Sequence, residues 1–159
     1  MPDGQSVLMV TASIRVAVAA DMAALSDVYR RSSLSNDGDR ANLLAHEDAL
    51  TLSETPVVEQ RVRVAVVDDR IVGFATLLIS GQVGELEDLF VDPDWMRRGV
   101  GRTLVRDAAA TARAEGVTRI EVTANGHAHA FYEKMGFTLD GIGQTRFGPA
   151  DRMHLDVRL

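Results

Sequence analysis

The 159-residue chain contains no cysteine. That excludes disulfides, thiolate catalysis and cysteine-based metal sites. Positive charge is not in excess either: 17 Lys and Arg stand against 23 Asp and Glu, a net charge of −6. An acidic balance argues against nucleic-acid binding, which relies on neutralising phosphates, and favours a cationic substrate. No apolar run approaches the roughly 20 residues a membrane helix needs, and no basic region precedes a signal-like core. A cytoplasmic location without membrane contact is therefore expected. The four histidines lack metal-ligand spacing. His127 and His129, two apart, point to different faces of a helix, so no metal site is expected. Repeats, linkers and low-complexity segments are also missing.

What is present is an alternation of strands and helices in a chain of ordinary globular composition, 46% hydrophobic and 25% charged. The length suits one domain. Residues 1–11 read as a loose leader, with Met9 a candidate alternative start. The expected organisation is a flexible leader over 1–12 and a single domain over 13–159. A short strand is expected over 14–18, then a helix from an Asp21 cap to about Arg31, with Met22, Leu25, Val28 and Tyr29 on one face. A turn cluster over 32–39 and a second short helix over 40–50 follow. The β-branched runs 62–67, 71–79 and 83–91 predict an antiparallel three-stranded meander. Helical periodicity over 98–115 turns Leu104, Val105, Ala108, Ala109 and Ala112 inward and stops at Gly116. A fifth strand over 118–123, a short helix over 127–135 and two late strands near 137–141 and 152–157 complete the pattern.

The most informative stretch is Val91-Asp92-Pro93-Asp94-Trp95-Met96-Arg97-Arg98-Gly99-Val100-Gly101-Arg102. A strand ends at a proline turn, and a Gly-x-Gly turn then opens a long helix. Backbone N–H groups at a helix mouth have no intrahelical acceptor and sit at the positive end of the dipole. Glycine lets an oxygen approach the main chain, and the arginines add charge and bidentate donors. The loop reads as a pyrophosphate cradle, although an ordinary glycine turn before a helix fits the same residues. Spacing excludes two common phosphate loops. A dinucleotide fingerprint wants glycine near position 104, where Leu104 stands. A P-loop wants its first glycine at Met96 and lysine at Arg102.

With Val91, Pro93, Gly99 and Gly101 in these places, the chain resembles the GCN5-related N-acetyltransferases, whose loop runs Gln/Arg-x-x-Gly-x-Gly/Ala after Val-x-Pro. Met96 departs from that pattern by replacing Gln or Arg. A second stretch carries the same resemblance: Asn125, Ala128, Phe131, Tyr132, Glu133, Lys134, Gly136 and Phe137 match the family's segment after its fifth strand. The likeness is most specific from Ile71 to Phe137. It implies a mixed α/β fold with a mostly antiparallel central sheet of six to seven strands. One strand pair would be splayed, and about four helices would flank the sheet.

The resemblance also implies roles. Acetyl-coenzyme A would be the cosubstrate. Its pantetheine arm would pair with the main chain of Leu89, Phe90 and Val91, where one N–H polarises the thioester carbonyl. Gly99, Val100 and Gly101, with Arg97, Arg98 and Arg102, would hold the phosphates, and Asn125 would cap its helix and touch the cofactor. Strand alternation puts Glu85 and Glu87 on one face and Asp88 on the other. The run 86–91 resembles the polyamine-acetylating branch of the family, which makes Glu87 the general base and leaves Glu121 an alternative. Tyr132 is the implied general acid, since a phenol titrates near about 10 and a thiol near about 8.5. The expected reaction is direct acetyl transfer to a primary amine in a ternary complex, with a small-molecule acceptor. Two alternatives stand beside it: a protein N-terminal or lysine acetyltransferase, and a catalytically silent coenzyme A-binding module. An aminoacyl-tRNA acetylating toxin would want a basic face. A homodimer is a family-level expectation.

Overall fold

The computed structural model describes residues 9–35 and 37–158, the side chains of 37–39 excepted. The leader expected over 1–12 lies outside the described residues as far as residue 8. The β-branched runs form the strands that their composition favours: β1 Ser13–Val16, β2 Val62–Val67, β3 Arg70–Ser80, β4 Val83–Val91 and β5 Arg119–Ala124. The chain closes with β6 Thr138–Thr145 and β7 Gly148–Asp156. The helices are α1 Met22–Leu34, α2 Asp37–Ala45, α3 Thr55–Val58, α4 Val100–Ala114 and α5 His129–Lys134.

The strands hydrogen-bond in the order β1-β2-β3-β4-β5-β7-β6. β1 and β2 are antiparallel, as are β5 with β7 and β6 with β7. β4 and β5 run parallel, with α4 in the crossover between them. Tight turns link β2 to β3 and β3 to β4, which makes those pairs hairpins and hence antiparallel. Asp68 and Asp69 adopt φ of 49° and 63° in the first turn. Residues 72–77 of β3 are buried without interruption, as a central strand covered on both faces requires.

By its contacts the chain forms two compact units, Met1–Ala75 with Leu89–Leu104 and Thr76–Asp88 with Val105–Leu159. The first is centred on Ala17, Leu25, Val28, Val57, Val62, Val64 and Phe74, with Tyr29 and Phe90 packed against them. Its aromatic stack runs from Tyr29 edge-on to Phe90 at 4.9 Å, and from Phe90 to Phe74 at 5.6 Å. The second unit buries Val105, Ala108, Ala109 and Ala112 of α4, Ile120, Val122 and Ala124 of β5, and Tyr132, Phe137 and Met153. The inward face expected of α4 is thus fully buried.

Several expectations needed correction. α4 starts at Val100 rather than Arg98, because Arg97 and Gly99 hold positive φ. Asp21 occupies the N-cap of α1, yet its carboxylate accepts from the Val18 N–H at 2.8 Å and from Arg15, not from a helix N–H. α1 runs past Arg31 to Leu34, which narrows the expected turn cluster to its join with α2. The expected helix over 40–50 is two pieces, α2 and a 3-10 turn at Glu47–Leu50, broken at His46 with φ −132° and ψ 71°. α3 was not expected. It is a single turn with Pro56 in its first positions, where a missing N–H costs nothing. β6 and β7 are longer than expected and run through Gly141, Gly143 and Pro149, residue types that strands disfavour. They sit in a hairpin whose register shifts between Leu139 and Gly141.

Candidate active site

The glycine-arginine loop belongs to the first unit and is fixed from beneath. Gly73 on β3 is the tightest point. A Cβ there would stand 2.9 Å from the Phe90 carbonyl oxygen and 3.1 Å from Val100 Cγ1. Glycine therefore lets the end of β4 and the first turn of α4 seat close to β3. β4 ends where the Asp92 N–H donates to Val72 O at 2.8 Å. Pro93–Trp95 then makes a 3-10 turn in which Asp92 accepts the Asp94 N–H at 2.9 Å. Arg98 lays its guanidinium over the Trp95 ring at 4.9 Å, a contact that leaves its N–H donors available at the ring's edge. Arg97 and Arg102 are exposed.

Positive φ at Arg97 (64°) and Gly99 (87°) turns the chain into α4. The first capping bond is Thr103 N–H to Gly99 O at 3.0 Å, so the N–H groups of Val100, Gly101 and Arg102 precede the helical ladder. A side chain at Gly99 would be strained by its φ and would have to push aside the flexible end of Met9, whose Cε would lie 2.7 Å from an added Cβ. Backbone donors, a helix mouth and exposed guanidiniums together fit a polyanion such as a diphosphate. Met96, the departure from the expected pattern, is exposed and leaves the turn intact.

The second unit carries the acid-base candidates. The parallel ladder between β4 and β5 runs from Val83↔Arg119 to Leu86↔Val122 and ends there, although β4 continues through Glu87 and Asp88 and β5 through Thr123 and Ala124. Glu87 is exposed beyond the last rung. Its face-mate Glu85 lies opposite Glu121 in register. Two facing carboxylates repel, and Arg152 of β7 relieves them. Its Nη1 and Nη2 reach Glu85 at 2.9 and 3.1 Å, Nη2 reaches Glu121 at 2.8 Å, and Nη1 reaches Thr123 Oγ1 at 2.7 Å. Arg119 adds a second cation 3.1 Å from Glu121. Glu121 is therefore occupied in ion pairs.

Tyr132 is 6% exposed, and its ring is flanked edge-on by Phe131 and Phe137 at 5.2 Å each. Burial, with the Asp88 charge adding to it, pushes the phenol well above its ordinary pKa. Asn125 is exposed and does not cap α5 through its side chain. The cap position falls on Ala128, whose N–H donates to the Asn125 carbonyl at 2.9 Å. α5 consequently begins at His129, where the imidazole Nδ1 meets Asp151 Oδ2 at 2.7 Å.

In the first unit, then, the structure places Leu89, Phe90 and Val91 together with Arg97, Arg98, Gly99, Val100, Gly101 and Arg102. Glu87, Tyr132 and Asn125 belong to the second unit. A cavity of about 410 Å³ in the first unit, lined by Arg15, Asp21, Asp27, Asp69, Arg70 and Asp92, contains none of the sequence-predicted site residues. Among the described residues no cluster of three or more His, Asp or Glu is arranged to hold a metal. No helix of the described residues is long and apolar enough to cross a membrane. Arg152 escaped the sequence reading because its partners lie 67 and 31 positions away, a distance at which spacing carries no signal.

Against this geometry, residues 22–137 match the model of the acetyltransferase (GNAT) family. The chain is 35% identical over 75 residues to glucosamine 6-phosphate N-acetyltransferase of Trypanosoma brucei brucei, covering 43% of this chain and 51% of that protein. It is 38% identical over 93 residues to the [ribosomal protein bS18]-alanine N-acetyltransferase of Salmonella typhimurium, 57% of this chain and 62% of the relative. The chain thus spans about half to three-fifths of the length of these relatives. Its fold is similar to that of the PaiA N-acetyltransferase from Thermoplasma acidophilum, solved in complex with coenzyme A. The TM-score is 0.72 at 19% identity, over 92% of this chain and 99% of that one.

Proposed function

The chain belongs to the acetyltransferase (GNAT) family, and on that premise we propose that it transfers the acetyl group of acetyl-coenzyme A to a primary amine, with a small molecule as acceptor. The observation that carries this reading is the Arg97–Arg102 turn, with positive φ at Arg97 and Gly99 opening directly onto α4. When bound, acetyl-coenzyme A supplies the acetyl group as an activated thioester. The main-chain N–H groups from Gly99 to Arg102 bind its diphosphate, and Arg97, Arg98 and Arg102 add charge. The main chain of Leu89, Phe90 and Val91 orients the pantetheine arm, and one of its N–H groups meets the carbonyl oxygen. The family resemblance gives Asn125 a contact with the cofactor as well.

A free alkyl amine is mostly protonated at neutral pH, since lysine-like amines titrate near about 10.4. Glu87 takes that proton. It is exposed beyond the last rung of the β4–β5 ladder, and the run 86–91 resembles the family branch in which this position is the base. Tyr132 gives a proton to the departing sulfur. Its raised pKa keeps it protonated at neutral pH, and the developing thiolate must supply the drive for the transfer. With no cysteine in the chain, direct attack by the amine needs no covalent enzyme intermediate. Holding both reactants together supplies much of the acceleration. A cytoplasmic, homodimeric enzyme is part of the same reading.

The test is release of coenzyme A thiol from acetyl-coenzyme A across a panel of amines and peptides, which the protein's lack of thiols leaves free of background. Amine-dependent release that Tyr132→Phe abolishes supports the transferase. Release with peptides alone favours a protein acceptor, a second reading supported by the relative named for a ribosomal protein's alanine. Tight coenzyme binding with no release from any acceptor, unchanged by Glu87→Gln, points instead to a silent coenzyme-binding module.

A further inference from the structure

Arg31 lies in the last turn of α1 and has no place in the chemistry above, yet it reaches the root of the loop. Its Nη1 donates to Asp92 Oδ2 and its Nη2 to Asp94 Oδ2 at 3.0 Å. Asp92 is the turning point between β4 and the loop, and its side chain is 2% exposed. Each of its polar groups is used. The N–H holds Val72 O, Oδ1 holds the Asp94 N–H, and Oδ2 takes Arg31 and, at 3.3 Å, Arg70. A buried carboxylate needs such partners to remain ionised without a large penalty. The two guanidiniums differ in what they span. Among the described residues Arg70 pairs with Asp92 and not with Asp94, whereas Arg31 bridges Asp92 and Asp94, on either side of Pro93. It therefore fixes the angle at which the chain leaves β4.

Two residues before Arg31, Tyr29 rests edge-on against Phe90 and donates to Ala49 O at 2.6 Å. α1 thus grips both the end of β4 and the start of the loop, which is where the coenzyme's arm and diphosphate are proposed to meet the main chain. The turn that follows is strained at Arg97, a non-glycine residue at φ 64°. Such a conformation persists only where its surroundings hold it. We propose that Arg31 is a positioning residue: its two-ended clamp on Asp92 and Asp94 sets the loop so that its N–H groups converge on the coenzyme's diphosphate. This rests on the coenzyme reading above and adds a dependence of diphosphate affinity on α1.

The decisive variant is Arg31→Lys, which keeps the positive charge but cannot bridge two carboxylates as a planar fork does. It is expected to weaken coenzyme A, measured by calorimetry, roughly fivefold, with an unchanged melting temperature. Transfer from S-acetylpantetheine, which lacks the diphosphate, is expected to keep its kcat/KM within about twofold, since the loop's N–H groups then have no anion to hold. Arg31→Gln should lose roughly tenfold on coenzyme A, and the loss should persist at high salt, where a mere field effect would be screened. Wild-type affinity in Arg31→Lys overturns the clamp, as does an equal loss for both donors. If the Arg31 variants fail to fold, Asp94→Ala at the exposed end of the clamp gives the same comparison. Equal coenzyme A affinity there is likewise fatal. Wild-type protein that binds no coenzyme A would instead sink the transferase reading, an outcome read before any variant is made.

Discussion

At the scale of single residues, the two proposed proton-transfer groups are set apart by their surroundings. Tyr132 is enclosed by aromatic rings and holds its proton, whereas Glu87 stands in solvent beyond the end of a ladder. Tyr132→Phe is expected to lower kcat by roughly 100-fold while leaving coenzyme A affinity unchanged, the size a lost general acid produces. Steady-state kinetics and calorimetry together check it. The phenol also has a consequence for stability. Its folded pKa is raised, so its contribution is fully present below the unfolded value of about 10 and is lost as pH rises beyond it. Urea midpoints measured across alkaline pH should therefore fall more steeply for the wild type than for Tyr132→Phe. Asp21 behaves in the opposite sense. Its pKa is held down, first by the hydrogen bonds from Arg15, and its stabilisation is present above about pH 4 and lost as pH falls through the folded value. Asp21→Asn should cost about 1 kcal/mol at neutral pH, a figure discounted for solvent screening. Urea titrations of the two proteins should converge in acid.

At the scale of elements, β3 is where backbone, loop and helix meet, and Gly73 is the residue that permits it. Gly73→Ala must displace the Phe90 carbonyl or the side chains of Val100 and Leu104. It should destabilise by about 1–3 kcal/mol, read as a lower denaturant midpoint, and weaken coenzyme binding as well, because the loop's anchorage moves. Which elements the sequence announced follows from where their signals arise. β2 and β4 match their β-branched runs end to end, since alternation and composition are local properties. The inward face of α4 was legible for the same reason. Where backbone conformation or distant partners decide, the sequence was mute. Positive φ at Arg97 moved the start of α4, glycines and a proline hid the length of β6 and β7, and α3 is too short for periodicity to register. The candidate site divides along the same line. The loop and the Tyr132 segment could be read from contiguous motifs. The tying of Glu85 and Glu121 to Arg152, and of Arg31 to Asp92 and Asp94, joins residues tens of positions apart and becomes visible only once the strands and helices are placed.

At the scale of the whole molecule, the acidic balance bears on the proposed amine acceptor. A chain with net charge −6 attracts cations over a distance that salt shortens to about 10 Å at 0.1 M. If the acceptor is a cationic amine, kcat/KM should fall between about 0.05 and 0.5 M salt, and more steeply for a diamine than for a monoamine of equal length. Stopped assays at fixed acetyl-coenzyme A would show the slope, and a flat profile would remove steering from the account. The path of the chain's early residues has a practical side. The Val10 N–H donates to Arg98 O at 3.0 Å, and Met9 lies against Gly99. A chain shortened to begin at Thr11 would lose both contacts from the turn that is to receive the diphosphate.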